Sequence, residues 1–264
     1  MRCRVGDPTG VQPGSSASKR EPRLAVVVGL AVVILALLAG GTLALVRRSG
    51  LSEKGLSGAQ ILERSLAVAR KAGTVHVDAA YGDADWDSMD ISANGGIDTS
   101  TVDGGTITII DVGGHLYFQA DAFYWTGQFD APESVADHYA GKWVVTPTDH
   151  QQLNLVAEEL EMPTIVDKLL ALSGPISKGR ARANGQFSLS GAVPDNEFTK
   201  EGGAGDSATL IVSSTSPLLP LSISYTDPQN GTTRMTFSKW GEQVPLAPPP
   251  SPLSLPGGAT LPGA

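Results

Sequence analysis

Apolar and polar residues alternate with a period of two in most of the segments between residues 89 and 237. Successive side chains of a β-strand point to opposite faces, so each segment predicts a strand with one dry and one wet face. Asp103-Gly104-Gly105 and Val112-Gly113-Gly114 provide hairpin turns between such segments, which predicts an antiparallel sheet. The alternating apolar residues are Met89/Ile91/Ala93, Ile107/Ile109, Leu116/Phe118, Phe187/Leu189, Leu210/Val212, Leu221/Ile223/Tyr225 and Met235/Phe237.

Three segments with helical periodicity interrupt the predicted strands. Ser57 and Gln60 form a capping-box pattern ahead of a helix that ends near Lys71. Residues 148–151 repeat this pattern before a second helix, and a third is predicted over residues 164–172. The sequence therefore predicts an α+β fold, in which helices pack on the apolar face of an antiparallel sheet.

A longer apolar run lies near the amino terminus. Leu24 to Val46 are 23 consecutive residues without a charge. As a helix they would be roughly 35 Å long, enough to cross a hydrocarbon core of about 30 Å. The apolar part of a secretory signal is shorter, about 7–15 residues, so we predict one transmembrane helix that is retained. The small residues Ala39, Gly40 and Gly41 leave cleavage as the alternative.

Basic residues on the two sides of this span predict its orientation. Five Lys or Arg precede it and three follow closely, which favours a cytoplasmic amino terminus in the plasma membrane and an extracytoplasmic main domain. The terminal segments are rich in Gly, Ser and Pro without a regular apolar pattern, which predicts disorder. The predicted regions are a cytoplasmic disordered segment (1–23), a transmembrane helix (24–46), a linker (47–56), the folded domain (57–244) and a Pro-rich disordered tail (245–264).

The net charge differs in sign between residues 1–48 and the rest of the chain. The whole chain carries −8, of which residues 1–48 contribute +5 and the remainder −13. Because an acidic domain repels phosphate backbones, we expect no nucleic-acid partner. The plasma membrane is the predicted partner of the 24–46 helix, and the sequence identifies no protein partner.

The sequence contains no recognisable catalytic or metal-binding motif. Its four histidines are scattered, its only cysteine is Cys3, and no nucleophile or dinucleotide motif is present. We therefore predict no catalytic residue, no metal ligand and no cofactor, and we do not expect an enzyme. His76 is expected on the wet face of its strand, opposite to Val75 and Val77.

Two acidic stretches are possible sites by their composition alone. The aspartates at positions 83, 85, 87 and 90 lack the glycine and glutamate of a calcium-binding loop and are interpreted as a solvated hairpin connection. Glu158, Glu159 and Glu161 are interpreted as a solvated helix end.

Three aromatic segments carry a resemblance to a known family. They are HLYFQADAFYW at 115–125, YAGKWV at 139–144 and MTFSKWG at 235–241. Together they resemble actinobacterial lipoproteins of the LppX/LprAFG type. The resemblance implies a LolA-like curved antiparallel half-barrel, with helices on its concave face and an apolar cavity between them. It also implies carriage or retention of lipid at the cell envelope. That family is anchored by a lipidated cysteine, whereas this chain has Gly41 at the corresponding place.

Two functions remain open on this basis. The first is a membrane-anchored protein that holds a lipid or other amphiphile in an apolar cavity, where each buried methylene contributes roughly 0.8 kcal/mol. The second is a ligand-free interaction or sensor module of the same fold with a filled core. The aromatic run that begins at Phe123 would form the cavity rim in the first case and part of the core in the second. The candidate cavity residues are Leu116, Phe118, Phe123, Trp125, Ile165, Leu169, Phe187, Leu189, Leu210 and Ile223.

Retention of the 24–46 helix can be tested directly. Amino-terminal sequencing of the membrane-extracted protein is expected to find a chain that begins at or near Met1, because the uncharged run is long enough to span the bilayer. A mature form that begins close to Gly41 would instead identify a cleaved signal and a secreted domain.

Overall fold

The computed structural model describes residues 55–81, 85–147, 154–181, 185–194, 207–227 and 231–254. The predicted span at 24–46, the disordered segment at 1–23, most of the linker and the capping pattern at 148–151 lie outside these ranges. Among the described helices, none is both long and apolar enough to cross a membrane.

The strands in the described ranges form one wide sheet. Its order is β12-β6-β5-β4-β3-β2-β1-β11-β10-β9-β8-β7, and every pairing is antiparallel except that of β12 with β6. This large, mostly antiparallel open sheet confirms the predicted sheet type. The strands are β1 Thr74–Tyr81, β2 Asp85–Ser92, β3 Gly95–Val102, β4 Gly105–Val112, β5 His115–Ala120, β6 Val144–Pro147, β7 Ser173–Lys178, β8 Gln186–Ala192, β9 Ser207–Ser213, β10 Pro220–Asp227, β11 Gly231–Ser238 and β12 Leu253–Ser254.

Alternation along the strands gives the sheet a dry inner face. Val75 and Val77 of β1 are buried there, while His76 between them points to the other side, as predicted. The inner face joins the helices in one apolar cluster, to which nearly every strand contributes. The opposite, outer face carries only a small apolar group, whose buried members are Ile97, Ile110 and Tyr117.

A few short helices lie on the inner face. The helix α1 packs near β7 and β10, and α2 packs on β4. The helices in the described ranges are α1 Gly58–Ala72, α2 Ala122–Gly127, α3 Glu133–Tyr139, α4 Asn154–Glu159 and α5 Met162–Thr164, which continues as a π-helix over Ile165–Leu169.

The first helix agrees with its sequence pattern. The hydroxyl of Ser57 accepts a hydrogen bond from the backbone of Gln60, whose side chain accepts one from the backbone of Ser57. This reciprocal capping box satisfies two backbone donors that an uncapped helix would leave free. The helix ends at Gly73, whose left-handed conformation (φ 74°) suits a residue without a Cβ.

The third predicted helix is shorter and wider than its pattern suggested. Instead of one α-helix over 164–172, a single α-turn gives way to the π-helix, and the helix ends at Leu169. The Tyr225 hydroxyl donates a hydrogen bond to the carbonyl of Leu169, so this carbonyl at the helix end has a partner. The side chain of Arg70 on α1 forms an ion pair with Asp167 of the π-helix, and the Arg70 Nε lies 3.1 Å from the Asp167 carboxylate.

The helices α2 and α3 are findings that the periodicity did not predict. Each is only six or seven residues long, too short for a helical repeat to stand out. The local signal for α2 is Asp121, whose carboxylate accepts a hydrogen bond from the backbone N–H of Tyr124 at 2.7 Å. The aromatic run 123–125 is therefore helical.

Two glycines let the helix layer approach the sheet closely. A Cβ on Gly105 of β4 would lie 2.9 Å from the backbone of Tyr124, and one on Gly96 of β3 would lie 3.2 Å from Cβ of Leu160. Both contacts are too short for a larger residue to fit without a shift of the backbone. The absence of side chains at these positions therefore seats α2 and the end of α4 directly on the inner face.

The carboxyl-terminal segment departs from the predicted disordered tail over residues 245–254. Leu253 and Ser254 pair in parallel with Val144 and Val145 of β6, and the Leu253 N–H donates to the carbonyl of Trp143 at 2.8 Å. Leu246 packs on the apolar group of the outer face. A Pro-rich segment has no internal apolar period, but it can still order when it covers apolar surface elsewhere in the chain.

We expect this segment to stabilise the domain. Leu246→Ala removes apolar contact with the outer-face group, and a loss of about 1 kcal/mol corresponds to a fall of roughly 2–4 °C in thermal midpoint for a domain of this size. Thermal unfolding followed by circular dichroism measures this. The neighbouring exposed residue provides the control, Ala247→Ser, which should leave the midpoint unchanged. Equal midpoints for both variants and the parent would show that the segment does not support the domain.

Candidate binding site

One row of directly paired residues crosses the inner face from a polar to an apolar environment. It begins at Asp87 on β2 and ends at Leu189 on β8, five strand spacings or roughly 24 Å away. All residues of the row are at most 4% exposed. In order across the sheet they are Asp87, Ala79, Met235, Ile223, Leu210 and Leu189.

At the polar end, carboxyl groups lie inside the protein. Asp87 is 2% exposed, and Asp98 on β3, which pairs with Met89, is 1% exposed. The register places these two side chains diagonally on adjacent strands of the inner face. Their four carboxyl oxygens and the hydroxyl oxygen of Tyr81 are buried without a partner at the usual hydrogen-bond distance and angle, although Tyr81 lies near enough to Asp87 to lower its pKa.

A third carboxyl group reaches this region from the helix layer. Glu159, at the end of α4, is 5% exposed. Its neighbour Leu160 sits on Gly96, and Glu161 bridges to Ser92 at the end of β2, so the backbone is held against the sheet on both sides of this contact. We refer to Asp87, Asp98 and Glu159 together as the acidic cluster.

Burial makes the ionised forms of the acidic cluster costly. Burial raises the pKa of Asp87 to about 8, the nearby Tyr81 hydroxyl opposes this rise as a hydrogen-bond donor, and the charge of Asp85 adds to the rise. The pKa of Asp98 is raised well above its ordinary value by burial and then by the charges of Asp87 and Glu159. Burial, followed by the charges of Asp87 and Glu158, also raises the pKa of Glu159 well above its ordinary value. At neutral pH these groups therefore favour the protonated state.

Basic groups lie at the margin of the acidic cluster. Lys168 of the π-helix contacts Glu158 at 3.2 Å, and its charge lowers the pKa of Glu159. The charged groups that act on Asp87 and Asp98 are acidic in both cases. Among the residues that the structure describes, no group of three His, Cys, Asp or Glu side chains is arranged to hold a metal ion.

The acidic cluster corrects two interpretations of the sequence. The stretch 85–92 is a strand with Asp87 on its dry face, so the prediction of a solvated hairpin connection is wrong there, while Asp83 lies outside the described residues. The prediction of a solvated helix end is wrong for Glu159, although Glu161 is exposed. A strand signal for Asp87 was present, because Asp87, Met89 and Ile91 share the same two-residue period.

Nine of the ten predicted cavity residues lie within the single inner cluster. Each is buried and at most 4% exposed. Phe123 is the exception: it is 57% exposed and lies over Gly104 at the β3–β4 turn, so the structure does not bring it to the others. The nine are Leu116, Phe118, Trp125, Ile165, Leu169, Phe187, Leu189, Leu210 and Ile223.

The aromatic segments noted in the sequence occupy packing positions. The ring of Trp125 lies 5.7 Å from Phe118, 5.1 Å from Phe129 and 5.3 Å from Tyr139, measured between centroids. Its indole nitrogen is buried without a hydrogen-bond partner. Trp240 differs, since its indole N–H donates to the carbonyl of Pro220 at 3.0 Å.

A separate titratable group lies on the outer face. Nδ1 of His76 is 2.8 Å from the carboxylate of Asp90, and Nε2 is 3.4 Å from that of Asp78. The hydrogen bond to Asp90 raises the pKa of His76, and the same bond lowers the pKa of Asp90. The contact between His76 and Asp90 thus links strands β1 and β2.

Comparison with known proteins finds likeness among solved structures. No family model matches the chain, and no curated protein matches it. The crystal structure of the Mycobacterium tuberculosis lipoprotein LppX is similar, with 14% sequence identity and a TM-score of 0.45. The similar region covers 71% of this chain and 96% of that chain. At this level, the likeness concerns the arrangement of the backbone alone.

The raised pKa values predict a stability that falls as pH rises. Asp87 holds its proton in the folded state up to about pH 8 but loses it near its ordinary pKa of 3.8 when unfolded, so its contribution to stability declines across that window. His76 acts in the same direction, since its contribution to stability is present below its ordinary pKa of 6.5 and is lost as pH rises through its raised folded pKa. Thermal midpoints should therefore be higher near pH 5 than near pH 8.

Substitution of one carboxyl group isolates its contribution to the pH dependence of stability. Asp87→Asn keeps the shape and removes the charge, so it should raise the midpoint by about 3 °C or more at pH 8 and change it little at pH 5. Asp137→Asn, on the exposed side of α3, is the matched control and should have no effect at either pH. A midpoint of Asp87→Asn that is lowered at pH 8 would mean that the carboxylate is compensated in the folded protein.

Proposed function

We propose that this protein is a membrane-anchored, extracytoplasmic binding protein that holds a lipid or other amphiphile between its sheet and its helices. The observation that carries the proposal is the division of the inner face. Apolar side chains fill one end of the row from Asp87 to Leu189, and buried polar atoms without partners occupy the other. Buried polar groups in native proteins are nearly always paired, and an amphiphile with a polar head would supply the missing partner.

Binding by this route requires no catalytic residue. Removal of an acyl chain from water provides roughly 0.8 kcal/mol per methylene, and the polar head adds hydrogen bonds. We accordingly propose a carrier or holder and not an enzyme. The plasma-membrane location of the proposal rests on the uncharged run at 24–46, which would place the domain beside a supply of lipid.

The helix layer must move outward for a ligand to enter. Ile165 and Leu169 of the π-helix are 0% and 4% exposed and pack in the inner cluster, so they cover their part of the inner face in this conformation. Besides its apolar packing, the π-helix is held in the described structure by the Arg70–Asp167 pair, the Lys168–Glu158 contact and the hydrogen bond from Tyr225 to Leu169. Exposed ion pairs contribute little to stability, which makes this segment the best candidate for a lid.

The near-complete burial of the nine candidate residues favours a second function. If protein atoms alone fill the interior, the domain is a ligand-free interaction or sensor module that acts through its surface. The two functions differ in what occupies the interior of the purified protein.

Mass spectrometry of organic extracts distinguishes the two functions. The full-length protein, purified and washed with a mild detergent, is expected to release an amphiphile in roughly equimolar amount. Ile165→Trp, which enlarges a lid residue, should reduce that amount at small cost in stability, whereas the control Ile165→Val should retain it.

The opposite pair of results would support the surface module. In that case the parent releases no amphiphile, and Ile165→Trp overpacks a filled core at a cost on the order of 1–3 kcal/mol. Chemical denaturation of parent and variant measures this cost.

A further inference from the structure

The acidic cluster holds three buried carboxyl groups, which are protonated when nothing is bound, and a cation bound among them would favour their ionised form, which only accepts hydrogen bonds. Asp87 and Asp98 present four buried oxygens without partners, and the charged groups that influence them are other carboxylates. The hydroxyl of Tyr81, two residues along β1 from the Ala79 that pairs with Asp87, is buried beside them and acts as a donor to Asp87, which lowers the pKa of that carboxyl group. Tyr81 can donate only one hydrogen bond, so most of the acceptor capacity is left over.

A complementary ligand group must supply several donors and positive charge. A primary ammonium has three N–H donors and no acceptor, whereas a hydroxyl adds one donor together with further acceptors. A carboxylate or phosphate would add negative charge to a buried acidic site, which is strongly unfavourable. Charge-assisted hydrogen bonds are also roughly twice as strong as neutral ones.

We propose that the acidic cluster binds a primary ammonium head group, with the alkyl chain of the same molecule along the apolar row toward β8. This inference rests on the proposed function, because it names the chemical class of the amphiphile in that interior. The row fixes the arrangement: Asp87 stands at one end, and Ala79, Met235, Ile223, Leu210 and Leu189 follow it in direct register. The head would bind between β2, β3 and the end of α4.

Three long-chain probes that share one alkyl chain test the head group. Hexadecylammonium has charge and donors, hexadecyltrimethylammonium has charge without N–H donors, and hexadecanol has neither charge nor excess donors. Radiolabelled probe retained by the full-length protein in a nonionic detergent is counted near pH 8. Hexadecylammonium is expected to bind about tenfold more tightly than hexadecanol, with the trimethylated probe weaker than the primary amine.

Substitutions assign the preference to the acidic cluster. Asp87→Asn combined with Asp98→Asn should remove most of the advantage of hexadecylammonium and leave hexadecanol binding unchanged, whereas Asp137→Asn should change neither. The thermal midpoint of each variant confirms that it is folded. Since the probe comparison is also made on the parent protein, it does not depend on any variant.

The outcomes separate this inference from the proposed function. If hexadecanol binds as tightly as the amine, or if the double variant keeps the amine preference, the ammonium site is wrong while amphiphile binding stands. If no probe binds and no native amphiphile is extracted, both proposals are wrong.

Discussion

Alternate side chains of nearly every strand point toward the helix layer, so the stability of this domain depends on keeping one face of a wide sheet dry. The described helices are short, and none could form alone in water. They are held because their apolar sides complete the same cluster as the strands. Gly96 and Gly105 matter for this reason, since they allow the helices to reach the sheet at contact distance.

The acidic cluster works against that requirement. A dry interior favours apolar side chains, yet Asp87, Asp98 and Glu159 are placed within it by strand register and by the seating of α4. Apolar residues at these positions would make a more stable domain. An arrangement that lowers stability without a structural benefit is typical of residues retained for binding, and the rest of the row supplies an apolar surface beside it.

Strand positions were the most predictable part of the fold. The two-residue period gave the inner residues of β2, β4, β5, β8, β9 and β11 correctly, and the capping box located α1. The period made no prediction for β3, where the apolar Ile97 faces outward and Asp98 faces inward. Ile97 belongs to the outer-face group on which Leu246 of the carboxyl-terminal segment packs, a contact between distant parts of the chain that no local pattern reveals.

The candidate site was less predictable than the fold. Asp87 could have been found from its period with Met89 and Ile91, but acidic composition suggested solvent instead. Glu159 had no comparable signal, because its burial depends on Leu160 meeting Gly96 more than sixty residues earlier in the chain. Charge patterns predict exposure on average, and they fail where tertiary contacts bring a charged residue inside.

The parallel pairing of β12 with β6 has a consequence for self-association. Open sheets have edges that can recruit strands from other molecules. At one edge, the chain covers β6 with its own carboxyl-terminal segment. At the other edge, β7 pairs irregularly with β8 and includes Pro175, which lacks an N–H to donate, and the cationic Lys178. Loss of the segment that carries β12 would leave β6 open to strands of neighbouring copies, so proteolytic trimming near residue 245 would favour aggregation through that edge.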